Sequence, residues 1–126
     1  MNDADGRLAA AIAILDRLIA FDTISSRSNL ELIGWVADYL GRFGIAAAQT
    51  SASDGKANLF ATIGPAGQGG VILSGHTDVV PVAGQEWHSD PFHLTEDGGR
   101  IYGRGSADMK GFIALVLALV DRKSVV

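Results

Sequence analysis

Two short stretches hold the residues whose types and spacing could do chemistry. Ser74-Gly75-His76-Thr77-Asp78 closes an apolar run, Val71-Ile72-Leu73. Further on, Gly103-Arg104-Gly105-Ser106-Ala107-Asp108-Met109-Lys110-Gly111 follows a second strand-like piece and opens a helix-like stretch. An imidazole, a carboxylate two residues on and a second carboxylate beyond a glycine-rich turn are donors suited to a metal ion. In an extended segment, residues i and i+2 face one side. Asp78 can then accept the second N–H of His76, which fixes the ring's tautomer and raises its basicity toward a cation. Taken alone, the His-x-Asp pair also fits an ordinary polar strand-to-loop boundary.

Asp108 shifts that balance. A carboxylate has two oxygens and can bridge two cations. Two cations about 3.5–4 Å apart can activate water for attack on an amide. The plainer reading of Asp108 is a helix N-cap among turn glycines. Both motifs follow strand-like pieces, and strand ends are where α/β sheets bind ligands.

Composition narrows the field. The chain has 126 residues, the size of one ordinary domain, with 48% hydrophobic and 19% charged residues, which is globular composition. The net charge is −4 and no basic cluster occurs, so a nucleic-acid partner is not expected. There is no Cys, which leaves imidazole and carboxylate as metal donors. Residues 1–5 are acidic where a signal peptide would be basic. The apolar run at 112–120 is too short to span a bilayer. A cytoplasmic protein without membrane contact is the expectation. GRGSAD lacks the third glycine of a dinucleotide fingerprint, and neither G-x-S-x-G nor H-E-x-x-H occurs. His88 and His93 are expected to be exposed or packing residues, Trp87 and Phe92 loop anchors, and Arg104 and Lys110 solvated surface charges, the alternative for the last two being contact with a substrate carboxylate.

The elements that must position these residues are legible in outline. Leu8, Ile12, Leu15, Leu18 and Ile19 recur at three- and four-residue steps and predict a helix over 4–22, with Asp16 and Arg17 on its other face. Residues 22–26 break it with short polar side chains that compete for backbone hydrogen bonds. Ser28 or Asn29 can cap a second helix, striped by Leu32, Ile33, Val36, Tyr39, Leu40 and Phe43 and ended by Gly44. Residues 45–51 and 58–63 are strand-like around a Ser53-Asp54-Gly55 turn. Residues 71–74 do not alternate, so a fully buried strand is expected there. Residues 82–99 form a long connection and 100–103 a short strand. Residues 111–120 are apolar all round, predicting a helix buried on every side. The fold expected is α/β, a layered domain with helices flanking a mixed sheet. Residues 121–126 break the pattern and are expected to be a non-native tail; the alternative is a basic helix end that suits the dipole.

Gly75-His76-Thr77-Asp78-Val79-Val80-Pro81, taken with residues 103–111, resembles the di-zinc aminoacylase and carboxypeptidase family. Residues 18–25, 56–64 and 87–92 support the likeness, which covers roughly 8–120. The resemblance implies that residues 1–120 are the N-terminal part of a zinc-peptidase-like catalytic domain. It implies zinc, two ions in the complete enzyme, with cobalt as an alternative. His76 would ligate one ion, Asp108 would bridge both, and Asp78 would orient His76. The peptide after Asp108 is expected to be cis. The reaction implied is hydrolysis of N-acetylornithine to ornithine and acetate in arginine biosynthesis, by a homodimer acting on a small N-acyl amino acid. A desuccinylase or dipeptidase with the same motifs is the alternative, as is a non-catalytic metal-binding or interaction fragment. In the family a Glu-Glu pair, whose first Glu is the general base, a further acidic ligand, a distant His and an inserted lid domain follow these motifs. None of them is among these 126 residues, so the chain alone is expected to be inactive.

Overall fold

The computed structural model describes residues 3–123. Its elements are α1 (Asp3–Ala20), α2 (Leu30–Gly41), β1 (Ala47–Ala52), β2 (Lys56–Ala61), β3 (Thr95–Asp97), β4 (Arg100–Tyr102) and α3 (Lys110–Lys123). The class is α/β, as the alternation of periodic and strand-like segments implies. Among the described residues the strands form two antiparallel ribbons, β1 with β2 and β3 with β4. A parallel bridge between Ile24 and Val79 stands apart from both.

The core lies between the helices. The predicted stripe of α1 supplies Leu15, Leu18 and Ile19, although Leu8 at its start is 57% exposed, and that of α2 supplies Leu32, Ile33, Val36 and Leu40; Ala11, Ile14 and Ala57 join them with Ala114, Leu117, Ala118 and Val120 of α3. Tyr39 ties α2 to α3 by donating its hydroxyl to the carbonyl of Leu117 at 3.1 Å. Gly44, at φ +73°, reverses the chain after α2 in the left-handed conformation that favours glycine.

Two expectations are corrected. Residues 71–74 form no strand, and Val71, Ile72 and Leu73 are 86%, 82% and 54% exposed. An apolar run becomes a buried strand only with neighbours to accept its ladder hydrogen bonds and cover both faces, and among the described residues none pairs with it. Nor is α3 buried all round. Its Ala114, Leu117 and Ala118 side is covered, whereas Leu115 is 55% exposed and Leu119 44%, because α1 packs against one side only. The tail expected at 121–126 meets the end of α3 at Lys123; residues 124–126 lie outside the described residues. No described helix is long and apolar enough to cross a membrane.

Candidate metal centre

The backbone of residues 77–79 is held by the segment after α1. Val79 N donates to the Thr23 carbonyl at 3.0 Å, and Ser25 N donates to the Val79 carbonyl at 3.1 Å. Thr23 Oγ1 donates to the Thr77 carbonyl at 2.6 Å. The polar residues that break α1 are thus the partners of the segment bearing His76 and Asp78. Asn29 adds a brace. It stands at the N-cap of α2 but its side chain makes no cap bond. Its amide instead grips Ala57, accepting from N at 2.9 Å and donating to O at 3.0 Å, and donates to Thr77 Oγ1 at 3.1 Å. Ser28 Oγ accepts from Leu30 N at 3.1 Å.

Asp108 comes from the turn ahead of α3. Lys110 N donates to the Gly105 carbonyl at 2.8 Å, closing that turn. Two glycines make the fold-back feasible. A Cβ at Gly111 would lie 2.2 Å from the Ser106 carbonyl oxygen, and one at Gly105, which has φ +87°, would lie 2.6 Å from Val79 Cγ1. The Asp108–Met109 peptide is cis. His76 N donates to Met109 Sδ at 3.4 Å, so the two motifs touch directly.

The three residues singled out by sequence converge. His76 Nε2 lies 3.0 Å from Asp108 Oδ1. On the opposite edge of the ring, Nδ1 lies 3.1 Å from Asp78 Oδ1 and 3.1 Å from the Asp78 carbonyl oxygen. Desolvation pulls the His76 pKa down, but the Asp78 carbonyl, the Asp108 carboxylate and both negative charges outweigh it and hold the ring above its ordinary value. Asp78 is held below the ordinary carboxylate value, first by the Ser25 hydroxyl, against some burial, with help from His76 and Lys56. Ser25 Oγ donates to Asp78 Oδ2 at 2.5 Å.

An imidazole nitrogen facing a carboxylate oxygen, with a second carboxylate behind the ring, is a donor set that fits zinc: one nitrogen, one oxygen and an oriented tautomer. Among the described residues no three His, Cys, Asp or Glu side chains are grouped closely enough to hold an ion together. The His76 and Asp108 side chains are open to solvent, 48% and 81% exposed.

The other candidates lie elsewhere. His88 and His93 are exposed. Arg104 stacks on Trp87 at 5.2 Å and donates to Gln85, so it anchors the long loop. Lys110 overturns its expectation as a solvated charge. It is fully buried, and its ammonium donates to the carbonyls of Leu18 and Phe21, both at 2.8 Å. These carbonyls, at and just past the end of α1, supply the acceptors that make such burial tolerable. Sequence reasoning passed over Ser25, and read Asn29 as a helix cap and Lys110 as a surface charge. The available signal was the density of hydroxyl and carboxylate groups at 22–26, which was read only as a helix break.

Residues 72–124 match the profile of peptidase family M20/M25/M40. An acetylornithine deacetylase of Pasteurella multocida is 40% identical over 124 residues, which is 92% of this chain and 32% of that protein. Another from Shigella sonnei is 42% identical over 120 residues, 88% of this chain and 31% of that protein. Among solved structures, human carnosine dipeptidase 1 superposes with a TM-score of 0.74 at 30% identity, covering 95% of this chain and 28% of that one. The chain thus spans about a third of the length of the curated relatives it matches.

Proposed function

We propose that this chain, whose residues 72–124 match the profile of peptidase family M20/M25/M40, is the N-terminal part, residues 1–120, of the catalytic domain of a cytoplasmic, zinc-dependent amidohydrolase. Its substrate is N-acetylornithine, cleaved to ornithine and acetate in arginine biosynthesis. The observation that carries the reading is the meeting of His76, Asp78 and Asp108 across two distant motifs, in a chain 40–42% identical to acetylornithine deacetylases.

His76 would hold one zinc through Nε2, the nitrogen turned toward Asp108. Asp108, with two carboxylate oxygens, would serve both ions. Zinc, when bound, supplies Lewis acidity to the amide carbonyl and lowers the pKa of water there. Asp78 would accept a hydrogen bond from Nδ1–H, keeping the proton there and leaving the Nε2 lone pair for the metal. Cobalt would suit the same donors. The homodimer and the proton-shuttling Glu of the family are part of this reading.

A dipeptidase is the second reading, favoured by the likeness to carnosine dipeptidase. A polypeptide of the relatives' length that contains this chain separates the two. Ornithine released from N-acetylornithine, and abolished by a chelator, supports the deacetylase. Cleavage of a dipeptide with N-acetylornithine untouched would replace it.

A further inference from the structure

We propose that Ser25 is a positioning residue of this site: its hydroxyl fixes the Asp78 carboxylate and, through it, the His76 ring. The purpose of that alignment rests on the metal reading above; the geometry does not. Ser25 Oγ donates to Asp78 Oδ2 at 2.5 Å, while the other oxygen, Oδ1, lies 3.1 Å from His76 Nδ1. One oxygen accepts from Ser25 and the other faces His76, with the Asp78 N–H also bonded to the carboxylate, and turning the group to improve one side-chain contact spoils the other. Without Ser25, the carboxylate would keep His76 as its one side-chain hydrogen-bond partner and could swing about its side-chain bonds. The ring would then be left to the Asp78 main-chain carbonyl, which already competes for Nδ1 at 3.1 Å.

Ser25 is itself well held. Its N–H donates to the Val79 carbonyl at 3.1 Å, the preceding Ile24 bridges to Val79 in parallel, and Lys56 Nζ donates to the Ser25 carbonyl at 2.5 Å. The rival acceptor for its hydroxyl, the Val79 carbonyl, is more distant at 3.4 Å. A hydroxyl donating to an ionised carboxylate makes one of the stronger kinds of hydrogen bond. Groups that orient a ligand's partner govern how well the ligand is presented. Ser25 is also exposed, so a threonine methyl has room there.

The test is NMR on the metal-free 126-residue chain, reading three-bond couplings about χ1 of Asp78. Wild type and Ser25→Thr are expected to show the limiting couplings of a single rotamer. Ser25→Ala and Ser25→Cys are expected to lose them to rotamer averaging, with the amide spectrum unchanged away from residues 23–25 and 76–79. Cysteine keeps the volume and offers only a weak donor, so it serves if the alanine variant does not fold. A single Asp78 rotamer in either folded donor-poor variant overturns the proposal. So does averaging in wild type, or loss of fold in both variants, which would give Ser25 a structural role alone. Zinc added to the wild-type sample is a separate arm. Absence of binding would remove the metal reading and leave the rotamer result standing.

Discussion

The ammonium of Lys110 donates to the carbonyl oxygen of Leu18 at 2.8 Å, joining the start of α3 to the end of α1 across 92 positions of sequence. The Phe21 carbonyl takes a second bond. A cation among helix-terminal carbonyls also opposes the negative end of the helix dipole. Lys110→Met keeps most of the volume and removes both bonds, while each carbonyl keeps a backbone partner, Phe21 N on Leu18 and Thr23 N on Phe21, so the loss is about 0.5–1.5 kcal/mol per bond, offset in part because a charge is no longer buried. Lys110→Ala adds a cavity and is expected to destabilise more than the methionine variant. Denaturant unfolding of both variants checks this. A methionine variant as stable as wild type would mean that the two bonds contribute nothing net.

Burial holds the Lys110 ammonium down to about 8, against the opposing pull of Asp22. Between that value and the ordinary 10.5, the folded chain has released a proton that the unfolded chain still binds. The state that binds fewer protons gains as pH rises, so folding stability should increase across this window. The comparison is the unfolding midpoint of wild type against Lys110→Met across the same pH range. The rise should belong to wild type; equal pH profiles would contradict the assignment.

The sequence carried the two motifs, the three helices and the apolar stripes of α1 and α2, because each is a local pattern of spacing. It also carried the meeting of His76 with Asp78, which are two residues apart in extended backbone. What escaped was non-local. Lys110 reads as a surface charge until the end of α1 is beside it. Asn29 reads as a helix cap until Ala57 offers a full pair of backbone groups. Residues 71–74 read as a buried strand, since an apolar run does not reveal whether partners will flank it.

The 126-residue chain is expected to self-associate. Val71, Ile72 and Leu73 stand largely exposed, as do Leu115 and Leu119 on the open side of α3. Apolar surface on this scale commonly marks an interaction face or an aggregation liability. Sedimentation velocity should show the average size growing with concentration, and Ile72→Glu with Leu115→Glu should suppress it. A monodisperse wild-type monomer with a sharp cooperative transition would rule this out.

The chain by itself is expected not to turn over N-acetylornithine, since among the described residues no three His, Cys, Asp or Glu side chains are grouped to hold a metal ion. Chelator-sensitive ornithine release by the purified 126-residue chain would contradict this.

In a polypeptide of the relatives' length, His76→Ala should lower zinc content from two ions per chain to one. Asp78→Ala should keep more of the metal and lose rate, since partners that orient a ligand typically cost about 10–100-fold in affinity or activity. Elemental analysis beside an activity assay separates the two variants. Two zincs in His76→Ala would remove His76 from the ligand set.

The central claim, that His76 faces a metal through Nε2 beside Asp108, is tested most directly by the imidazole nitrogens of the chain's three histidines. Zinc is titrated into the nitrogen-15-labelled 126-residue protein, and long-range proton–nitrogen correlations are followed for His76, His88 and His93. The account predicts that His76 Nε2 shifts first and furthest, that its Nδ1 stays protonated, and that Asp108→Asn weakens the response. Shifts of His88 or His93 at lower zinc than His76, or binding through His76 Nδ1, would contradict it.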